Sequence, residues 1–215
     1  MDVLTCTLMA DGASDRVLMP MLQWLLDIHC PSATELNFAE RLPGSNKLDD
    51  RITAALDFYP CNLLFVHRDA EAASASARQY EIEAAWTRQP PLSGEQLVTI
   101  IPVRMTEAWL LVDEAAIRAA SGNPNGSLAL DLPKVSKLQQ LKDPKDVLFE
   151  ALRVASGLSP GRLKNFSPDA RRHRVSELMA SSDPPSFTVL RALPSFVGLE
   201  TQVQQLFQRQ SHAPV

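Results

Sequence analysis

Apolar residues in the first hundred positions fall into two kinds of run. Short unbroken runs, VLTCTLM at 3–9, CNLLFV at 61–66 and LVTIIPV at 97–103, have the length and composition of strands buried on both faces. Between them the apolar positions recur at helical spacing. Val17, Leu18, Met21, Leu22 and Leu25 predict a helix over 14–29. NKLDDRITAALDF predicts a second over 46–58, and an alanine-rich stretch a third over 72–88. A short strand is read at 34–38. Strands that alternate with helices and are apolar on both faces imply a parallel sheet covered on both sides. The predicted fold class is therefore α/β, with this unit over residues 1–115.

After residue 105 no segment reads as a strand. GNPNGS at 122–127 is a loop. Asp143-Pro144 is a helix start, an N-cap acid followed by proline at the first helical position. Val147, Leu148, Ala151, Leu152 and Ala155 then trace one helical face, and Gly157 ends it. Phe196, Leu199, Val203, Leu206 and Phe207 predict a last helix. Residues 116–210 are thus expected as a helical extension packed on the sheet, and 211–215 as a frayed tail.

Composition narrows the functional classes. The 215 residues suffice for one sizeable core with a small appended lobe. The net charge of −4 excludes a global basic field drawing the chain to nucleic acid or membranes, so any such contact needs a local patch. No apolar run approaches the ~18 residues that span a bilayer. The early acid and missing basic n-region argue against a secretion signal. Cys6, Cys30 and Cys61 show no metal-ligand spacing. The expectation is a reduced, cytoplasmic protein.

Ligands of open parallel sheets bind beyond the carboxyl ends of the strands. The polar residues there are Asp11, Gly12 and Asp15 after the first run, Asp69 and Glu71 after the third strand, and Arg104 and Glu107 after the fourth. Carboxylates gathered at one edge repel unless a cation neutralises them, and Mg²⁺ suits oxygen donors. Asp69 and Glu71, two apart in an extended segment, would point the same way. The structural alternative is that Asp69 and Asp11 merely cap the helices that follow them. There is no GxxxxGK[ST], GxGxxG or GxSxG motif. The four histidines form no ligand pattern, and only His67 lies near the acids.

These residues resemble the Toprim family. LTCTLMADGASDRVL is similar to that family's first motif, a glutamate followed by glycine, and LLFVHRDAE to its Asp-x-Asp motif. PVRMTEAWLLVDE, KDPKDVLFEAL and FTVLRALPSF are similar to segments of small stand-alone Toprim-like proteins, related to overcoming-lysogenization-defect nucleases and found near ATPases of bacterial anti-phage defence loci. The chain departs from the pattern in carrying Asp11 for the glutamate and Glu71 for the second aspartate.

The resemblance implies a Toprim-like, Rossmann-like parallel sheet and a Mg²⁺-dependent nuclease, with Mn²⁺ as a substitute. It implies Asp11, Asp69, Glu71 and Glu107 as catalytic metal ligands, and an ATPase partner. Arg104, Lys145, Arg171, Arg172 and Arg174 are candidates for phosphate contact, the last three in the chain's one basic patch. Self-association is left open. Trp109 is expected in the core. A competing reading is a catalytically inactive Toprim-like subunit that docks on the ATPase. A phosphoacceptor receiver domain ranks low, lacking the acidic pair after its first strand and a Lys-Pro after a fifth.

Overall fold

The computed structural model describes residues 3–71, 73–90 and 94–211. The frayed tail expected at 211–215 lies, beyond Ser211, outside the described residues. The chain divides into two units: Met1–Ile101 with Gly198–Val215, and Pro102–Val197. The division falls fourteen residues earlier than the expected one after residue 115, and the end of the chain returns to the first unit.

The first unit is α/β. Its strands are β1 (Leu4–Met9), β2 (Thr34–Phe38), β3 (Leu63–His67) and β4 (Gln96–Ile100), all parallel, in the order β2-β1-β3-β4. The helices are α1 (Met19–His29), α2 (Leu48–Phe58) and α3 (Ala75–Thr87). Strand and helix alternate as the apolar pattern predicts, with shifts at the ends. The helix expected over 14–29 divides into a 3-10 helix, Ala13–Leu18, and α1. Pro20 has no N–H to bond the preceding turn, so the α-helix can only begin around it. Pro102 likewise ends the pairing of β4 at Ile100.

In-register partners put alternate residues of β1 and β3 on opposite faces. Met9, Leu64 and Val66 pack with Ile52 and Ala55 of α2 and Ile82 and Ala85 of α3. Leu8 and Phe65, on the other face, are fully buried. Burying each large side chain of this kind contributes on the order of 2 kcal/mol. α1 lies against β2. The last helix, α9 (Pro194–Ser211; α4 to α8 follow below), belongs to this unit from Gly198 onward. Its Gln202 amide lies along the open edge of β4: Oε1 accepts from Thr99 N and Oγ1, both at 3.0 Å, and Nε2 donates to Thr99 O at 3.1 Å. One side chain thus stands in for a fifth strand at an edge otherwise open to pairing.

The second unit is helical: α4 (Glu107–Leu110), α5 (Glu114–Ala120), α6 (Pro144–Ser156), α7 (Pro160–Leu163), α8 (Arg172–Ser181) and the first turn of α9. α6 starts and stops as its sequence predicts. Asp143 accepts from Asp146 N at 3.0 Å, and Gly157 closes it in the left-handed region at φ 61°. Trp109 is buried edge-on against Phe196, ring centroids 5.7 Å apart, and donates through Nε1 to Ser195 Oγ at 3.2 Å. No helix among the described residues is long and apolar enough to cross a membrane.

Candidate functional site at the carboxyl edge of the sheet

β1 and β3 are neighbours, and the chain winds outward from them in both directions, so their carboxyl ends flank a switch point. His67 is the last residue of β3. It shares the face of Leu63 and Phe65, and this alternation carries its ring into the interior, 1 % exposed. There it stands between two acids. Nε2 lies 3.2 Å from Asp69 Oδ1, and Nδ1 lies 3.5 Å from Asp15 Oδ2. Burial opposes the charge on the ring. The hydrogen bonds to Asp15 and Asp69 outweigh it and lift the His67 pKa to about 9. At neutral pH His67 is therefore an imidazolium, both nitrogens donating.

The 3-10 helix positions Asp15, whose Oδ2 also accepts from Gly12 N at 3.1 Å. The capping alternative fails at both acids. Ser74 is the N-cap of α3, accepting from Ala77 N, and Gly12 holds the cap position before the 3-10 helix. Asp11 instead receives Arg51 Nη1 of α2 at 2.9 Å and Arg68 Nε at 3.2 Å. Arg51 also donates to the carbonyl of Ala10.

The Asp-x-Glu pair parts company. Glu71 has φ 51°, so residues 69–71 are not the extended segment that would aim both acids alike. Asp69 turns to His67, whereas Glu71 is two-thirds exposed and meets Arg78 Nη2 at 3.5 Å. Arg78 also binds Glu81 at 2.9 Å, and Arg68 binds Glu81 at 3.0 Å. The result is a run of alternating charges: Glu71, Arg78, Glu81, Arg68, Asp11, Arg51. The Arg78 hydrogen bond, with Arg68 nearby, holds the Glu81 carboxyl below its ordinary range.

The remaining expected residues belong to the second unit. Glu107 is buried and bound to Arg172 Nη1. Arg172 is itself buried and also holds Asp169 at 2.7 Å. The basic patch therefore loses one of its members to an internal ion pair. Arg171 is exposed, lying over Phe166, and Arg174 is exposed and paired with Glu177. Lys145 lies over Phe149 in the first turn of α6. Arg104 has φ 65° and is half-buried.

Asp11, Asp15 and Asp69 are oxygen donors of the kind Mg²⁺ or Mn²⁺ takes, and Asp11 and Asp69 keep part of their surface in solvent. In donor type they fit such a cation. Among the described residues, no three of His, Cys, Asp and Glu close into a metal-ligand cluster. His67, Arg51 and Arg68 supply the compensating charge in this conformation. Two of these carry no motif signal. Arg51 lies forty residues from Asp11 in the chain, and Arg68 precedes Asp69 like any surface arginine. His67 had a usable signal, since 63, 65 and 67 share one strand face. Comparison with known protein families, curated proteins and solved structures finds no match.

Proposed function

We propose that the carboxyl edge of the sheet is a Toprim-like site for metal-assisted phosphodiester hydrolysis, in a nuclease of bacterial anti-phage defence. One observation carries this reading: the segments that follow adjacent strands β1 and β3 set Asp15 and Asp69 on either side of buried His67, and Asp11 against Arg51 and Arg68. Asp11, Asp15 and Asp69 would hold Mg²⁺ or Mn²⁺, and Glu71, turned to Arg78, is left out of the ligand set. When bound, the cation supplies charge stabilisation at the phosphoryl oxygens and an acidified water.

The chain's own residues do the rest. His67 fixes the orientation of Asp69 and Asp15 and offsets their charge. Arg51 and Arg68, held by Asp11, the Ala10 carbonyl and Glu81, set positive charge beside the acids, where it attracts a phosphate. Glu107, satisfied by Arg172, is left out of the ligand set in this reading.

Incubating the purified protein with supercoiled plasmid and with single-stranded circular DNA tests the proposal. Mg²⁺, Mn²⁺ and chelator are compared, beside Asp69→Ala. Cleavage that needs the metal and falls at least about 100-fold in Asp69→Ala is expected. No cleavage under any condition, or cleavage unchanged in the variant, overturns it.

A second reading is a non-catalytic subunit that docks on an ATPase. It is favoured by the pairing of Asp11 with Arg51 and Arg68 and of Asp69 with His67, which offsets their charge without a metal. Calorimetric titration with Mn²⁺ separates the two. Heat of binding lost in Asp69→Ala supports the nuclease, and its absence supports the docking subunit.

A further inference from the structure

Beside Asp11, beyond the carboxyl ends of β1 and β2, lies a cavity of about 350 Å³. That is within the range of small-ligand pockets. Phe38 and Leu42 contribute apolar wall, Asn46 an amide, and Arg41 and Arg51 guanidinium groups.

The walls are built in advance. Arg16 stacks over the Phe38 ring at 4.9 Å and pairs with Glu40. Tyr59 Oη clamps the loop after β2, accepting from Glu40 N at 3.2 Å and donating to Glu40 O at 2.9 Å. Arg51 is fixed by Asp11 and the Ala10 carbonyl. Arg41 differs from all of these. It is exposed, stands in the left-handed region at φ 53°, and makes no side-chain hydrogen bond or ion pair among the described residues. A non-glycine residue costs on the order of 1 kcal/mol there, and such positions cluster at ligand clamps.

We propose that this cavity binds one unpaired nucleotide, the base against Phe38 and Leu42 and the phosphate on Arg41. The chemistry selects this class. Leu42, with the part of Phe38 that Arg16 leaves uncovered, gives an apolar wall on which a base can lie. An asparagine amide matches a base edge, and a carboxylate accepts from an exocyclic amine. Asp11 and Glu40 also line the cavity, and they disfavour a bare multiply charged anion such as inorganic phosphate. The inference rests on the phosphodiester reading only for its biological sense, since a strand threaded past Asp11 would place its next nucleotide here. The binding itself needs no metal.

The test therefore runs in chelator. A fluorescein-labelled oligo-deoxyadenylate is followed by anisotropy, and dAMP and inorganic phosphate by calorimetry. Wild type is compared with Arg41→Ala and with Leu42→Trp, which fills the cavity, each checked for fold by circular dichroism. Arg41→Ala is expected to weaken nucleotide binding about tenfold. Leu42→Trp is expected to abolish it. Binding of the oligonucleotide alone identifies a nucleotide within a strand, and binding of dAMP alone a free one; either supports the site. No binding of either, binding indifferent to both variants, or phosphate binding as tightly as dAMP overturns it. Nucleotide binding without cleavage would discard the nuclease and keep the subsite. Cleavage without Arg41-dependent binding would do the reverse.

Discussion

His67 carries the largest electrostatic consequence of any single side chain at the edge. Its pKa rises from about 6.5 in the unfolded chain to about 9 when folded. The stabilisation is therefore complete below the unfolded value and is lost as pH climbs through about 9. A shift of this size corresponds to up to about 3 kcal/mol. Thermal melts at pH 6 and pH 10 should show wild type losing more stability than His67→Gln; equal losses would remove the imidazolium from the argument. Asp15→Asn deletes one of the two charges facing the ring. Its His67 resonance should titrate at lower pH than in wild type by NMR, because burial would then be opposed by Asp69 alone.

At the scale of elements, local rules decide some helices and long-range contacts decide others. α6 is set by its own sequence: the Asp143 cap, Pro144 and the left-handed Gly157. A Cβ at 157 would lie 3.0 Å from Asn123 Nδ2, which donates to Ala155 O at 2.9 Å. Gly157→Ala should therefore cost about 1 kcal/mol from backbone strain, with a further loss if that hydrogen bond is displaced. Chemical denaturation measures this; an unchanged midpoint would contradict it. α9 is the opposite case. Its apolar spacing predicts a helix but says nothing of what Gln202 will bond. That glutamine closes the edge of β4, 103 residues away.

For the whole molecule, the decisive fact is that the chain leaves the α/β unit at Ile101 and re-enters it at Gly198. A chain ending at residue 197 removes Gln202, the Glu200 partner of His29, and buried Val203 and Phe207 from the first unit. It keeps Ser195 and Phe196 against Trp109. Hydrogen exchange should then show β4 and α1 losing protection while α6 keeps its own. Retained protection in β4 would mean that the last helix is dispensable to the sheet.

How much of this was legible in advance follows the range of each interaction. The strands, their alternation with helices, the α/β class, and Asp11 and Asp69 at strand ends are all readable from runs of apolar residues and what interrupts them. Those features depend on neighbours a few positions apart. Only the tertiary structure decided the pairings: Asp11 with Arg51, His67 between Asp15 and Asp69, Glu107 with Arg172, and Glu71 turned toward Arg78. A charge is drawn to whichever opposite charge the fold brings near, and that depends on strand order and helix placement rather than on sequence spacing. The order of apolar runs and acids thus determined that carboxylates would reach the edge of the sheet, and packing determined which cations meet them there.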